Sequence, residues 1–195
     1  MGVERTSFER IRKKFLESRR AIYGHPSGSA VQPRFGAPRV QIFHTFASRK
    51  ECSALKVHTK NYAGISGSST EGAFSICVSN GYKDDKDEGE TILYTGTGGQ
   101  SDSFRGSGAQ VADQSFEHRD NAALKVSART KKPVRVVRGP NPDSVYAPDS
   151  GYRYDGLYTV ERAYMDRGAN GFAICRYELR RCPGQPPIPK KGEHL

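Results

Sequence analysis

The chain has 195 residues, which suits one domain of ~100–200 residues with short extensions. It carries 31 Arg and Lys against 21 Asp and Glu, so its formal net charge is +10, and this excess favours a polyanionic partner. No stretch approaches the ~18 consecutive apolar residues of a membrane span, and the first ten residues are too charged for a secretory leader. We therefore expect neither a membrane protein nor a secreted one.

The basic residues are unevenly distributed along the chain. Residues 1–50 contain 11 Arg and Lys against 3 acidic residues, residues 51–100 contain 4 against 7, and residues 101–195 contain 16 against 11. Phosphates need cations, whereas the edge of a base can need an acceptor. An acidic centre between basic flanks is thus typical of a base-reading site on a phosphate-binding surface. A basic protein without a specific ligand would show the same balance.

No cofactor or metal is predicted from the sequence. The four cysteines are Cys52, Cys77, Cys175 and Cys182. They form no C-x-x-C pair and fit neither a zinc site nor a disulfide framework, so we expect reduced intracellular thiols. Asp84, Asp85 and Asp87 could gather a divalent cation, but they do not complete a calcium-binding loop. The glycines of residues 96–99 lack the order of a P-loop or a dinucleotide fingerprint.

The first predicted element is a short basic helix. The stretch from Thr6 to Glu9 has capping-box spacing, and Phe8, Ile11 and Phe15 follow at helical intervals among basic residues. Such a helix either touches the DNA backbone or docks on the protein surface. Glycines and prolines over residues 24–38 then indicate an extended arm.

After the arm, the pattern predicts mostly strands, because short runs are rich in β-branched and aromatic residues. The predicted strands are Val40–Phe46, Phe74–Ser79, Thr91–Thr95, Val134–Arg138, Leu157–Tyr164 and Phe172–Arg181. In the last run, Ala173, Cys175, Tyr177 and Leu179 lie on one face, and a helix is expected over about Asp113–Ser127. These elements predict an α+β fold, with a strongly curved or closed β-barrel-like sheet and a few flanking helices.

The chemistry is concentrated between residues 79 and 99. Two tyrosines and several carboxylates lie among glycines there, and such a set can hold a planar ring by stacking and by hydrogen bonds to its edge. Two simpler interpretations remain open. A tyrosine in an alternating strand is often part of the core, and Asp84-Asp85 is often a turn.

The ordered motifs of the chain resemble those of the SRA domain, also called YDG after the string that stands here as Tyr154-Asp155-Gly156. The resemblance runs from about Gly36 to Pro189. It rests on Ala63-Gly64-Ile65, Gly81-Tyr82-Lys83-Asp84-Asp85-Lys86-Asp87, Tyr94-Thr95-Gly96-Thr97-Gly98-Gly99, Asp113-Gln114, Asn121, Lys132-Pro133-Val134-Arg135-Val136-Val137-Arg138-Gly139, Tyr146-Ala147-Pro148 and Pro183-Gly184-Gln185-Pro186-Pro187. It implies a curved, PUA-like β-barrel that flips 5-methylcytosine out of DNA into a pocket.

The resemblance also implies roles for single residues. Tyr82 and Tyr94 match the two rings that sandwich the flipped base. Asp85 matches the acceptor for its N4 amino group, and Thr95 matches a wall near the ring and its methyl group. Base–aromatic stacking is worth ~1–3 kcal/mol per base, comparable to the cost of unstacking one, so a two-sided aromatic slot suits this task.

The chain departs from the family pattern at three places. Asn80 and Gly81 stand where the family has Gly-Gly, which puts an amide beside the base. Asn61 and Tyr62 lie where a loop of the family inserts a side chain into the DNA groove, and a tyrosine there can fill the vacated stack. The Asn-Lys-Arg finger of the family member that reads hemimethylated CpG is missing from the loop of residues 100–112, where Arg105 is the only obvious basic substitute.

We therefore predict a basic helix and arm over residues 1–35, an SRA domain over 36–189 and a tail over 190–195. The domain is expected to read double-stranded DNA containing 5-methylcytosine in the nucleus, without catalysis, and chromatin proteins are a further class of partner. One alternative is the DNA-targeting module of a modification-dependent nuclease system. Another is a chromatin protein-interaction module that binds DNA only non-specifically.

Overall fold

The computed structural model describes residues 34–79, 81–102 and 107–192. The predicted N-terminal helix and most of the arm lie outside these residues. The elements, in chain order, are β1 (Thr45–Phe46), α1 (Arg49–Ala54), β2 (Ile65–Ser68), β3 (Gly72–Val78), β4 (Lys86–Asp87), β5 (Thr91–Thr95), β6 (Gln100–Asp102), β7 (Ser107–Gln110), α2 (Arg119–Thr130), β8 (Val134–Arg138), β9 (Tyr152–Arg167) and β10 (Ala173–Arg181). Within the described ranges, no helix is long and apolar enough to cross a membrane.

Eight of these strands form one sheet in the order β2-β3-β8-β9-β10-β5-β4, with β1 paired to the start of β9. Only β3 and β8 run parallel in this sheet. Register shifts in the β2–β3, β8–β9 and β9–β10 pairs bend it. The expected α+β fold with a strongly curved sheet is confirmed. The closed form is wrong, because the short end strands β2 and β4 are not paired with each other in the described part of the chain.

The two faces of the sheet carry separate hydrophobic clusters. On one face, α2 packs against β2, β3 and β9 and buries Ala123 and Leu124 among the core residues of the central strands. On the other face, β1 and α1 contribute Phe46 and Cys52 to a smaller cluster that includes Tyr154. The sheet is therefore covered on both sides, and the candidate site must lie at an end or edge of its strands.

Periodicity located the central strands well. β5 and β8 have the predicted bounds, and the structure confirms strands within the last two predicted runs. The prediction of a strand over Val40–Phe46 is wrong except at its last two residues. Phe43 has a φ of 68°, and its amide donates to the carbonyl of Tyr154, so the chain turns there although its residues favour strands.

The predicted helix over Asp113–Ser127 begins six residues later than expected, at Arg119. Gln114 lies beside the sheet instead, because its amide donates to the carbonyl of Ala173 at 2.8 Å. The sequence reading also missed β2, β4, β6 and β7, which have two to four residues each. Strands this short, rich in glycine and serine, leave almost no periodic pattern.

The two faces of β10 do not divide into core and solvent. On the predicted face, Cys175, Tyr177 and Leu179 lie in the core, while Ala173 at the start of the strand is only partly buried. On the opposite face, however, Arg176 is only 6% exposed. A buried arginine needs partners, and those of Arg176 belong to the candidate site.

The Tyr-Asp-Gly motif belongs to a buried ion network. The Arg138 guanidinium, which is completely buried, donates to both carboxylate oxygens of Asp87, at 2.7 and 2.9 Å, and to Asp155 at 2.9 Å. Arg153 donates to both oxygens of Asp155. Although burial opposes ionisation of Asp87, the hydrogen bonds and charge of Arg138 hold its pKa below the ordinary value. The motif therefore joins β8, β9 and β4, and its aspartate serves the fold.

Asp155→Asn should destabilise the domain by about 3–5 kcal/mol, because it leaves two buried guanidinium groups facing a neutral amide. Urea denaturation at neutral pH measures the change. Glu178→Gln is the control, since it breaks an exposed pair with Arg162 that is worth at most ~1 kcal/mol. A loss for Asp155→Asn no larger than that of the control would contradict this role.

Candidate nucleic-acid interface

The first tyrosine of the candidate site, Tyr94, lies near the end of β5 and is 4% exposed. Its hydroxyl donates to the carbonyl of Cys77 at 3.4 Å and approaches the backbone of Gly64. A Cβ at position 64 would lie 2.4 Å from that hydroxyl oxygen. The absence of a side chain at Gly64 therefore leaves the space that the Tyr94 hydroxyl occupies.

A tight turn brings the other predicted residues to the same strand end. The amide of Asp85 donates to the carbonyl of Tyr82 at 3.2 Å, and the amide of Thr95 donates to Asp85 Oδ1 at 2.7 Å. The turn thus folds back onto the last residue of β5. We call Tyr82, Asp85, Tyr94 and Thr95 the aromatic–carboxylate cluster. The structure brings these four predicted residues together.

The Asp85 carboxyl is poorly solvated. Burial raises its pKa from 3.8 to about 7, although the hydrogen bonds from Thr95 and the charge of Arg176 act in the opposite direction. Burial also raises the pKa of Tyr82 and of Tyr94, and the neighbouring Asp85 charge adds to both shifts. Desolvation therefore outweighs the hydrogen bonds of Asp85 and brings the pKa of its carboxyl close to neutral pH.

Arg176 stabilises the aromatic–carboxylate cluster through hydrogen bonds to its neighbours. Its Nη1 donates to the carbonyl of Asp84 at 2.6 Å and to Thr95 Oγ1 at 2.8 Å. These bonds join the turn to β5. Asp84 faces elsewhere, because its Oδ1 accepts from the amide of Ala169 at 3.0 Å. The two adjacent aspartates therefore have different tasks.

Two buried amide side chains hold the glycine loop beside the cluster. Asn121 donates to the carbonyl of Thr97 at 2.9 Å and accepts from its amide at 2.8 Å. Gln114 donates to the carbonyl of Gly96 at 2.9 Å. Sequence reasoning gave neither side chain a role. The available signal was a polar residue at position 121, on the apolar face of a helix, where it needs a hydrogen-bonding partner.

A second predicted group lies on the loop before β2. Asn61 is exposed, and Tyr62 is 74% exposed at the tip of the loop. Gly81, beside the cluster, is also exposed, and its carbonyl accepts from Gln100 at 3.2 Å. Asn80 and Arg105 lie outside the described residues. An exposed tyrosine of this kind is available for contact with a ligand.

In the part of the chain that the structure describes, no group of three or more His, Cys, Asp and Glu side chains could hold a metal ion. All four cysteines are free thiols. Burial raises the pKa of Cys52 to about 12 and that of Cys175 to about 11, so neither is a reactive thiolate.

These features define a mixed α+β domain with an aromatic–carboxylate cluster at the end of a central strand and an exposed tyrosine loop nearby. Residues 34–185 match the model of the SAD/SRA domain, and the chain belongs to this family. It is 46% identical over 162 residues to a UHRF1-like protein of Cryptococcus neoformans, covering 79% of this chain and 47% of that protein. It covers 23% of the E3 ubiquitin-protein ligase ORTHRUS 2 of Arabidopsis thaliana, so it spans half or less of the length of these curated relatives.

Solved structures show the same fold. The SRA domain of SUVH5 bound to fully hydroxymethylated CG DNA superposes with a TM-score of 0.67 at 35% identity, covering 80% of this chain and 98% of that one. A modification-dependent restriction endonuclease, TagI, superposes with a TM-score of 0.72 at 36% identity, covering 78% of this chain and 54% of that one.

Gly64→Ala should destabilise the domain by about 1–3 kcal/mol, because the new methyl group overlaps the Tyr94 hydroxyl. Tyr94→Phe in the same chain should recover most of the loss, since the next ring atom of Tyr94 lies 3.7 Å from the added Cβ. Thermal and urea denaturation of the two single variants and the double variant check this. Equal destabilisation with and without the hydroxyl would contradict the contact.

Asp85→Asn should stabilise the free protein at pH 7.5 but not at pH 4.5. A carboxyl whose pKa rises on folding binds its proton more tightly in the native state, so wild-type stability falls between the unfolded pKa of 3.8 and the folded pKa of about 7. The slope is at most about 1.4 kcal/mol per pH unit. Urea denaturation across this range measures the difference. A difference between wild type and variant that does not depend on pH would contradict a desolvated Asp85.

Proposed function

We propose that the chain binds double-stranded DNA containing 5-methylcytosine and holds the modified base, flipped out of the duplex, in the aromatic–carboxylate cluster. The observation that carries this proposal is the poorly solvated Asp85 carboxyl, fixed through one oxygen by the Thr95 amide and flanked by Tyr82 and Tyr94. Burying a carboxyl in this way is costly without a ligand. Solved SRA domains of SUVH5, 34–36% identical to this chain, are bound to methylated CG and CHH DNA, which supports the choice of ligand.

In the proposed complex, the base stacks between the rings of Tyr82 and Tyr94, with Thr95 at its edge. The Asp85 carboxylate accepts from the N4 amino group of cytosine. Thymine carries the same methyl group but presents an acceptor at O4, so the contact with Asp85 distinguishes the two bases. Gly81, which has no side chain, leaves room for the base to approach, and Asn80 places an amide beside it.

The DNA backbone is bound by the basic residues on both sides of the acidic centre. Tyr62, together with Asn61, enters the groove and fills the space that the base has left, and Arg105 contacts the opposite strand. Phosphate contacts provide most of the affinity and make it fall steeply with salt. The cluster adds the preference for a modified base.

We propose that this domain is a reader with no catalytic step of its own, in a nuclear, chromatin-associated protein. Its relatives include the H3 lysine-9-specific histone methyltransferase SUVH4 and the E3 ubiquitin ligase UHRF1, which supports the chromatin role. A second candidate is the DNA-targeting module of a modification-dependent nuclease system, favoured by the similarity to TagI. Incubating methylated plasmid with the protein and Mg²⁺ tests the second candidate, because cleavage would assign the chain to a nuclease system.

Tyr82→Ala should weaken binding to a duplex with one 5-methylcytosine by about 1–3 kcal/mol, because one stacking surface is lost. Binding to the unmodified duplex should change little, since the phosphate contacts remain. Fluorescence anisotropy on the two duplexes measures both affinities. The Tyr82 hydroxyl is buried beside Thr97 and Gly98, so urea denaturation of the variant gives the folded fraction by which its affinity is corrected.

Val145→Ala is the control, because Val145 is 55% exposed on another loop. A fluorescent base analogue at the target position should brighten when wild-type protein binds and remain dim with Tyr82→Ala. Equal loss on both duplexes, or tight binding without brightening, would contradict base capture by the cluster.

A further inference from the structure

One arginine connects helix α1 to the loop that carries Tyr62. Arg49 is the first residue of α1, and its Nη2 donates to the carbonyl of Lys60 at 2.9 Å and to that of Ala63. These carbonyls stand on either side of Asn61 and Tyr62. A single guanidinium nitrogen therefore closes the base of the loop and leaves its tip exposed.

The arginine is itself fixed in place. Its Nη2 also lies 2.9 Å from His58 Nε2, and His58 Nδ1 lies 2.8 Å from Ser75 Oγ on β3. Burial, reinforced by the Arg49 charge, lowers the pKa of His58 to about 3, so the imidazole is neutral. His58 Nε2 also lies 3.0 Å from the carbonyl of Ala63, which can only accept, so Nε2 carries the proton and Nδ1 accepts from the Ser75 hydroxyl. This chain of contacts ties the guanidinium to the sheet.

The same loop ends against the aromatic–carboxylate cluster. The carbonyl of Gly64 accepts from the amide of Cys77 at 2.7 Å, and the Tyr94 hydroxyl donates to the carbonyl of Cys77. Gly64 is also the residue against which the ring of Tyr94 packs. The tyrosine of the loop and the tyrosine of the cluster are therefore supported by adjoining backbone.

We propose that Arg49 is a positioning residue for DNA recognition, which acts through Tyr62 by holding the loop of residues 60–63 in its inserting conformation. The inference rests on the proposed function, because it assigns Tyr62 to the vacated stack. Without Arg49, two carbonyls at the base of the loop lose a charged donor, and the loop must be ordered at the moment of binding. Ordering on binding weakens affinity without removing any contact to DNA.

A double-mutant cycle tests this proposal. Arg49→Met should weaken binding to the methylated duplex about tenfold, as expected for loss of hydrogen bonds from a charged group. Tyr62→Ala should weaken it by a similar factor. In the Tyr62→Ala background, Arg49→Met should have almost no further effect, because the side chain that it positions is gone. Arg49→Lys, which keeps a charged donor of similar length, should recover part of the affinity.

Arg162→Met is the matched control for loss of a positive charge, because Arg162 is exposed and pairs with Glu178 on the surface, so any change in affinity should be the same for the methylated and the unmodified duplex. Urea denaturation of each variant gives the folded fraction by which its affinity is corrected, so a stability loss alone does not imitate the effect. Losses that multiply in the double variant would overturn the proposal. So would a salt slope reduced by about 0.9 with equal loss on unmodified DNA, which is the signature of a phosphate contact.

The same measurements separate this proposal from the one on which it rests. If wild-type protein does not distinguish methylated from unmodified duplex, the proposed function fails, and the positioning role fails with it. If wild-type protein prefers the methylated duplex and Arg49→Met binds it equally well, only the positioning role is overturned.

Discussion

The candidate site depends on a buried side chain that does not belong to it, the guanidinium of Arg138. Arg138 binds Asp87 through two hydrogen bonds, and Asp87 belongs to β4, a strand of two residues at the edge of the sheet. Two ladder pairs with β5 are too few to hold such a strand, since short edge strands are marginal by themselves. The ion pair therefore anchors β4, and β4 in turn fixes the turn that presents Asp85 two residues earlier.

Asp85 and Asp87 differ in how the protein compensates for the loss of water around their carboxyl groups. Asp87 is buried against an arginine, and its charge is retained because the bidentate geometry compensates for the lost water. Asp85 is half-buried, and its carboxyl receives the amide and hydroxyl contacts of Thr95 and the charge of Arg176, which together do not outweigh its desolvation. The ion pair makes the burial of Asp87 compatible with a stable fold, whereas the desolvation of Asp85 lowers the stability of the free protein. An acceptor left incompletely paired at a site is a common mark of ligand recognition.

The central strands of the sheet could be predicted from the sequence, whereas most of the short edge strands could not. Strands such as β5 and β8 were predictable because each is a run of five residues rich in β-branched side chains, whereas β4 and β6 are set by tertiary contacts that no local pattern encodes. The four residues of the aromatic–carboxylate cluster could be named from the family resemblance. The residues that hold the cluster in place could not be predicted, because Arg176 and Asn121 bind backbone carbonyls and amides of loops that are distant in the sequence. Arg49 was hidden for the same reason: its partners lie 11 and 14 positions along the chain.

The parallel pairing of β3 with β8 has a consequence for how the domain can be divided. Parallel neighbours need a crossover, and here it runs from residue 79 to residue 133, carrying β4, β5, the glycine loop and α2. The entire aromatic–carboxylate cluster lies inside this connection, while β10, which pairs with β5, comes after it. Closing so long a segment is entropically unfavourable until the flanking strands have met. Formation of the cluster therefore requires segments from both sides of this connection, because β5 pairs with β10 and the connection is closed by β3 and β8.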